Sequence, residues 1–543
     1  MNPFAHIKTE VPFTSISQLW SERVREHGEK TYLHFHERSW SYSTFENEVA
    51  KAAGVFKSLG AVRGDHVAVL IPNSPEFLFA WFGAMTGGFT AVTINTLLKA
   101  DELEYILNDS DAKILVTTPA MRKALDSVWP RLTKLKHVLL TEKDTAYADA
   151  PEFHAAITAA AAWRPDQSAN DKASMIYTSG TTGHPKGVIL THGNILYNSY
   201  VCHQMIDLEG ADTALCIMPL FHVNAQIASM MSTLWAGATV VLEESFKPRS
   251  FIDTLKKHRC TTFSGVPTIY NFLNELKEAD GEDLSFLKAC ICGAAPMPVE
   301  VFQKFEEKFK GKIIEGYGLS EGTCVSSLNP MHGKRKIGSI GLTIPGQEMA
   351  IVAHGGAQVG AATDGDAPTV NANIHDRNEF LPDGEIGEIV IKGPNMMAGY
   401  YKKDDANKQT IIDGWLHTGD LGHRDAEGYF YITGRKKEMI IQGGENIYPK
   451  EIEEVLYKFE PVSECAIVGI PDKKYGEVVG AFIIPKEGVT VTAADVRGYL
   501  REKIANYKMP KVIEFVAAFP KTATGKIQKN KIAAAYQQGS DSK

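Results

Sequence analysis

The chain has 543 residues, 44% of them apolar and 22% charged, with a net charge of −8. That length exceeds what a single hydrophobic core serves and predicts several domains, while the composition is that of an ordinary soluble globular protein. An isoelectric point near 6.1 declares no basic face, so nucleic-acid binding is set aside and any anion binding has to be local.

The first ten residues mix acid and base with no apolar stretch, so no signal peptide is expected. Seven cysteines lie between Cys202 and Cys465 without a C-x-x-C pair, which points to a reducing compartment rather than to zinc or disulfides. The terminal Ser-Asp-Ser-Lys is not a peroxisomal address, and a cytoplasmic location is the expectation. Two uncharged stretches, residues 77–98 and 223–242, are long enough to span a bilayer. Both are interrupted by glycine, at Gly87-Gly88 and at Gly237, and both run on into β-branched residues, so each predicts helix, glycine stop and buried strand instead of an integral membrane segment.

After each stretch a second helical pattern and a second strand follow at nearly the same spacing, from Gly88 to Ala112 and from Gly237 to Cys260. A helix–strand–helix–strand unit used twice predicts two α/β layers of related topology on largely parallel sheets. Between them lies the most informative run, Thr178-Ser-Gly-Thr-Thr-Gly-His-Pro-Lys-Gly187, led in by apolar Met175-Ile176-Tyr177. Glycines, hydroxyls and one lysine make a loop able to wrap its amides around phosphate oxygens. A Walker A reading fails at two of its four fixed positions, because Pro185 precedes Lys186 where glycine is required and Gly187 follows where a hydroxyl is required.

Farther along, short turn-rich strands at residues 349–353, 387–392 and 429–432 predict a small β-rich subdomain, with an exposed Gly/Ala/Asp/Asn-rich loop at 355–373. The last hundred residues change again, to a helix opening at Pro449, strands at 465–468 and 481–484, and a helix at 493–503, an α+β unit.

Five strings in order carry a resemblance: Thr178 to Gly187, Tyr317-Gly-Leu-Ser-Glu321, Thr418-Gly-Asp420, Gly434-Arg-Lys-Lys-Glu438 and Pro520-Lys-Thr-Ala-Thr-Gly-Lys-Ile527. Together they resemble the adenylate-forming superfamily of acyl-CoA synthetases, luciferases and adenylation domains. The resemblance implies a large N-terminal α/β domain (1–436), built of the two layers and the β-rich subdomain, and a small mobile α+β C-terminal lid (437–543) hinged at Lys437. It implies ATP, Mg2+ and coenzyme A as reactants, a small-molecule carboxylic acid as substrate, and a monomer or homodimer.

The same resemblance distributes roles. Thr178, Ser179, Gly180, Thr181, Thr182 and Lys186 would hold the β and γ phosphates, with Lys186 either acting on them or ordering the loop. Glu321 would be the magnesium ligand, an oxygen donor suited to a hard cation. Tyr317 would stack on adenine beside Gly318 and Ser320, facing a wall made by Gly293, Ala294, Ala295 and Pro296. Asp420 would accept from the ribose hydroxyls, assisted by Arg435. Lys526 would reach from the lid to the α-phosphate and the incoming carboxylate, and Gly443 and Gly444 would border the pantetheine path. His222 would stand at the mouth of the thiol tunnel, as catalytic group or as shape, next to an acyl pocket of Val223, Asn224, Ala225, Gln226 and Val325, with Ser326 following. Asn224 and Gln226 either admit a polar group on the acid or are outward-facing helix residues.

The reaction implied is acyl-adenylate formation with release of pyrophosphate, then thioester formation with coenzyme A and release of AMP. With no arginine in the pocket to pair a second carboxylate, a small to medium monocarboxylic acid is expected. The alternatives are a long-chain fatty acid, a carnitine-like acid, or a freestanding adenylation enzyme that loads a carrier protein. A P-loop phosphotransferase, a rival from another class, would release ADP instead of AMP.

Overall fold

The computed structural model describes residues 3–178, 184–295, 297–353, 379–443, 445–472, 474–521 and 526–540. Ser179, Gly180, Thr181, Thr182, Pro296 and Gly444, together with the loop at 355–373, lie outside them.

The first uncharged stretch folds as expected. Ser74 accepts a hydrogen bond from the Phe77 N–H and Pro75 opens the helix Pro75–Thr86, placements that satisfy orphan donors of the first turn. Every residue from Phe77 to Thr86 is buried. Gly88, at φ +82, turns the chain into the strand Thr90–Thr93. The second stretch differs in one respect: its first half, Asn224–Met231, winds as a π-helix before the short α-helix Ser232–Ala236 and Gly237 at φ +65. The Ser232 hydroxyl donates to the Ile227 carbonyl at 2.9 Å, answering one acceptor in this widened turn. Among the described residues no helix is long and apolar enough to cross a membrane.

The two layers share a strand order. One sheet runs Lys186–Thr191, Lys172–Thr178, Thr90–Thr93, His66–Leu70, Ala112–Thr117, His137–Leu140; the other runs Arg38–Ser41, Thr31–Phe35, Thr239–Leu242, Thr213–Cys216, Thr262–Gly265, Ala289–Cys292. Within these six strands of each sheet the first pair is antiparallel and every later pair parallel; the first sheet continues past Lys186–Thr191 to Gly399–Tyr400, and the second past Ala289–Cys292 to Ile313–Tyr317, Ser327–Leu328 and Leu342–Thr343. The phosphate-loop hairpin of one layer therefore has its topological counterpart in the hairpin Thr31–Phe35/Arg38–Ser41 of the other. One apolar cluster, with Trp20, Phe45, Trp81 and Phe82 fully buried within it, joins both layers.

The β-rich part is an antiparallel sheet of Glu348–Val352, Gly387–Lys392, Trp415–Arg424, Phe430–Arg435 and the short Ile411–Ile412. Thr418-Gly-Asp420 lies inside its long strand Trp415–Arg424, where Gly419 takes φ +72. Beyond residue 439 the chain builds its own sheet from Ile440–Gln442, Glu445–Ile447, Val462–Asp472, Gly476–Pro485 and Val512–Phe515, flanked by the helices Pro449–Tyr457, Ala493–Arg501 and Lys529–Ser540. Two apolar clusters are made wholly of residues from this segment.

Candidate active site

The site lies where the parallel strands end at their carboxyl sides, the usual place for a ligand between α/β layers. Thr178 ends the strand Lys172–Thr178 and is registered opposite Lys186, the first residue of the strand Lys186–Thr191. His184 stacks on Tyr105 with ring centroids 4.6 Å apart. The Lys186 ammonium lies over the Tyr400 ring, 4.1 Å from its centroid, and the Tyr400 hydroxyl donates to Glu321 Oε1 at 2.9 Å.

Glu321 sits in a single 3₁₀ turn after the strand Ile313–Tyr317, and the chain there is forced close to itself. A Cβ on Gly318 would lie 1.3 Å from the Cys324 carbonyl oxygen, so only glycine fits. Thr323 is held at φ +70, a region β-branched residues avoid, with its hydroxyl donating to the Asn395 carbonyl at 2.5 Å. Such strain persists only where surrounding structure fixes it, and it concentrates at functional turns. Among the described residues no cluster of three or more His, Cys, Asp or Glu could hold a metal ion. Glu321 alone fits a Mg2+ that draws its remaining ligands from water and phosphate, as Mg2+ commonly does.

Asp420 is 2% exposed and is held from two sides, by the Tyr317 hydroxyl at 2.6 Å and by Arg435 Nε at 2.7 Å. The antiparallel register places Asp420 directly opposite Arg435. Burial pushes the Asp420 carboxyl up, and the guanidinium works against that rise. The wall at 293–295 presses on the Tyr317 strand, since a Cβ on Gly293 would come within 3.3 Å of the Gly316 carbonyl oxygen, and Ala294 is held at φ +69.

Lys526 comes from the other end of the chain to the same place. It is exposed to the cleft, yet desolvation by the surrounding protein and the nearby Arg435 charge lower its pKa, while Asp420 and Glu438 oppose the shift. Its charge also reaches His222, whose pKa burial lowers to about 4. His222 is therefore neutral at physiological pH, which favours shape or hydrogen bonding over acid–base work. Lys437, the expected hinge, is exposed, and its pKa is lowered by partial burial and by Lys186 and Arg435. Gly443, at φ +62, donates its N–H to the Tyr475 carbonyl at 2.9 Å.

The residues expected to line the acyl pocket divide. Ala225 and Gln226 are buried, and Gln226 spends its amide on the Leu220 carbonyl at 2.8 Å and Thr93 Oγ1 at 3.2 Å. It is neither outward-facing nor free on its donor side. His222 Nε2, Asn224 Oδ1 and Ser326 Oγ are buried with no hydrogen-bond partner among the described residues. Val325 is clamped by Asn198, which accepts from the Val325 N–H at 3.0 Å and donates to its carbonyl at 2.7 Å. Sequence reasoning missed both Asn198 and Tyr400. Asn198 lies in an ordinary helical run and carries no signal, whereas the paired tyrosines after Gly399 could have marked a strand against the phosphate hairpin.

Comparison with known proteins agrees with this geometry. A family model described as AMP-binding enzyme matches residues 20–401, and one described as AMP-binding enzyme C-terminal domain matches residues 451–526. The chain is 34% identical to a long-chain-fatty-acid–CoA ligase of Bacillus subtilis (strain 168), over 96% of this chain and 94% of that one. It is 33% identical to a feruloyl-CoA synthase of Amycolatopsis sp, over 91% and 93%. Among solved structures, ATP-bound MatB from Rhodopseudomonas palustris superposes with a TM-score of 0.86 at 28% identity, covering 96% of this chain and 99% of that one. An anthranilate CoA ligase, AuaEII, in complex with anthranoyl-AMP gives a TM-score of 0.86 at 27% identity over the whole of both chains. With its nucleotide-site motifs gathered into one cleft and both family models matched in order, the chain belongs to the AMP-binding enzyme family.

Proposed function

We propose that the cleft between the two layers and the C-terminal segment activates a small to medium monocarboxylic acid, using the residues assigned above. The chain is an AMP-forming acid–coenzyme A ligase. A carboxylate oxygen attacks the α-phosphorus of ATP and pyrophosphate leaves; the thiol of coenzyme A then attacks the acyl carbon, loses its proton, and AMP leaves.

The observation that carries the reading is the constellation around Asp420. A buried carboxylate fixed by Tyr317 and Arg435 offers its oxygens to the ribose hydroxyls, and Lys526 stands beside it as a cation for the charge that gathers at the α-phosphate. The phosphate hairpin with Lys186 takes the β and γ phosphates, and Glu321 carries the Mg2+. When bound, that ion neutralises phosphate charge and orients the leaving pyrophosphate. We place the boundary between the large domain and the lid at Lys437, which lets Lys526 withdraw for the second half-reaction and opens the path past Gly443 to the thiol.

The relatives act on chemically varied acids, from a long-chain fatty acid to feruloyl and sulfoacetate groups. No arginine or lysine occurs among residues 222–226 or at 325 and 326, which argues against a second carboxylate on the substrate. The unpartnered His222 Nε2, Asn224 Oδ1 and Ser326 Oγ favour a tail with a hydrogen-bonding group over a long alkyl chain, because buried polar atoms left unpaired cost about 1–3 kcal/mol each.

The test is release of pyrophosphate and AMP over a panel of carboxylic acids, with and without coenzyme A. Turnover that requires coenzyme A and selects a polar monocarboxylate is the expected outcome. Selection of long alkyl acids would overturn the substrate reading, and ADP as product would overturn the reaction. Lys526→Ala should slow adenylate formation by about 10²–10³-fold and leave thioester formation from supplied acyl-adenylate largely intact.

A further inference from the structure

We propose that Tyr400 is a positioning residue with two separate jobs: its hydroxyl orients the metal-ligand carboxylate of Glu321, and its ring seats the phosphate-loop lysine Lys186. This rests on the reading of Glu321 as the Mg2+ ligand and of Lys186 as a phosphate contact.

Tyr400 is buried and its place is fixed by backbone as well as side chain. Gly399–Tyr400 is a short strand paired antiparallel with the phosphate hairpin, Tyr400 opposite Val188 and Gly399 opposite Ile189. Asn407 clips the same residue, accepting from the Tyr400 N–H at 2.6 Å and donating to its carbonyl at 3.1 Å. The chain just before it is tied to the metal-ligand turn, with the Met397 N–H donating to the Glu321 carbonyl at 2.8 Å. A ring held this firmly bridges two neighbouring elements, the 3₁₀ turn that carries Glu321 and the strand that carries Lys186.

The two contacts use different parts of the side chain. The hydroxyl donates to Glu321 Oε1 at 2.9 Å, which leaves Oε2 for a cation and fixes the plane of the carboxylate. Partners of this kind orient a metal ligand, and their loss commonly costs about 10–100-fold in metal affinity. The ring face lies under the Lys186 ammonium, 4.1 Å from the centroid. That is an electrostatic attraction independent of the hydroxyl, and it holds the lysine on the hairpin side of the cleft.

Separable contacts make separable variants. Tyr400→Phe keeps the ring and removes the hydroxyl, while Tyr400→Leu removes both. ATP binding would be measured by calorimetry on the full chain, in Mg2+ and in EDTA, with Glu321→Gln as reference and thermal unfolding confirming that each variant is folded. For Tyr400→Phe the expected result is an unchanged ATP affinity in EDTA and a Mg2+ half-saturation raised about tenfold. Tyr400→Leu should in addition weaken ATP binding in EDTA, because Lys186 loses its seat. If Glu321→Gln abolishes the Mg2+ effect and Tyr400→Phe leaves it as in the unaltered protein, the positioning role is overturned. If Glu321→Gln itself leaves the Mg2+ effect intact, the assignment of Glu321 fails and this inference fails with it.

Discussion

Glu315 shows how one side chain near the nucleotide site writes itself into the pH dependence of the whole fold. It lies on the strand Ile313–Tyr317, two residues before Tyr317 and on the same side of the strand. It is 5% exposed, and its Oε2 has no hydrogen-bond partner among the described residues. Burial raises its pKa to about 7, against the attraction of Lys450 and hydrogen bonds from the Gly338 and Met297 backbone, with Glu454 adding to the rise. A carboxyl whose folded pKa exceeds its unfolded value of 4.5 binds more protons in the folded state, so its contribution to stability is complete below about pH 4.5 and is lost as pH rises through about 7. At about 1.4 kcal/mol per unit the loss is on the order of 3 kcal/mol. Glu315→Gln should therefore be more stable than the unaltered protein at pH 8 and lose that advantage at pH 5. Urea unfolding at the two pH values measures it, and a gap that does not change with pH would show that Glu315 titrates normally.

Gly318, three residues before Glu321, sets the shape of an element. With only 1.3 Å between a hypothetical Cβ and the Cys324 carbonyl oxygen, Gly318→Ala cannot be absorbed by rotamer changes, because the opposing atom is backbone. Its cost should reach or exceed the upper end of the about 1–3 kcal/mol usual for overpacking. Gly293→Ala, facing a carbonyl at 3.3 Å, should cost less; equal thermal shifts for the two would contradict this account. The same turn marks what the sequence does and does not disclose. Glycine stops, hydrophobic runs and the spacing between them were enough to read the two doubled layers, because helix caps and buried strands depend on neighbours a few residues away. Asp420 is legible as a residue but its place inside a strand is not, since Thr-Gly-Asp with Gly419 at positive φ looks locally like any Gly-Asp turn. The π-helix Asn224–Met231 was not legible at all: its composition is that of an apolar α-helix, and its winding is settled by packing against the strands and the helix His192–Met205 around it. Tyr400 and Asn198 act across 79 and 127 residues of chain, distances over which no local pattern reports.

At the scale of the molecule, the site is a place where cations from separate parts of the chain are brought together before any phosphate arrives. Lys186 comes from the hairpin after Thr178, Arg435 from the β-rich sheet, Lys437 from the expected hinge and Lys526 from the end of the C-terminal domain. Their mutual influence is visible in the lowered pKa of Lys437, through burial, Lys186 and Arg435, and of Lys526, through burial and Arg435. Asp420 and Glu438 offset only part of this at Lys526. A cleft built in this way holds repulsion that a triphosphate relieves, which couples nucleotide binding to the seating of Lys526. Saturating ATP should stabilise the protein by about 2.7 kcal/mol at a hundredfold excess over its Kd, and the charge-dependent share should shrink as salt is raised, through screening of the exposed groups. Lys526→Met removes one of the crowded cations while keeping an unbranched side chain of similar length. It should raise the unfolding temperature of the nucleotide-free protein slightly and narrow the gap between the nucleotide-free and ATP-bound forms. Thermal unfolding of both proteins with and without ATP, at low and high salt, measures both effects. A lowered nucleotide-free unfolding temperature in the variant would mean that Lys526 is held mainly by its attraction to Asp420 and Glu438, so that ion pairing seats it without nucleotide.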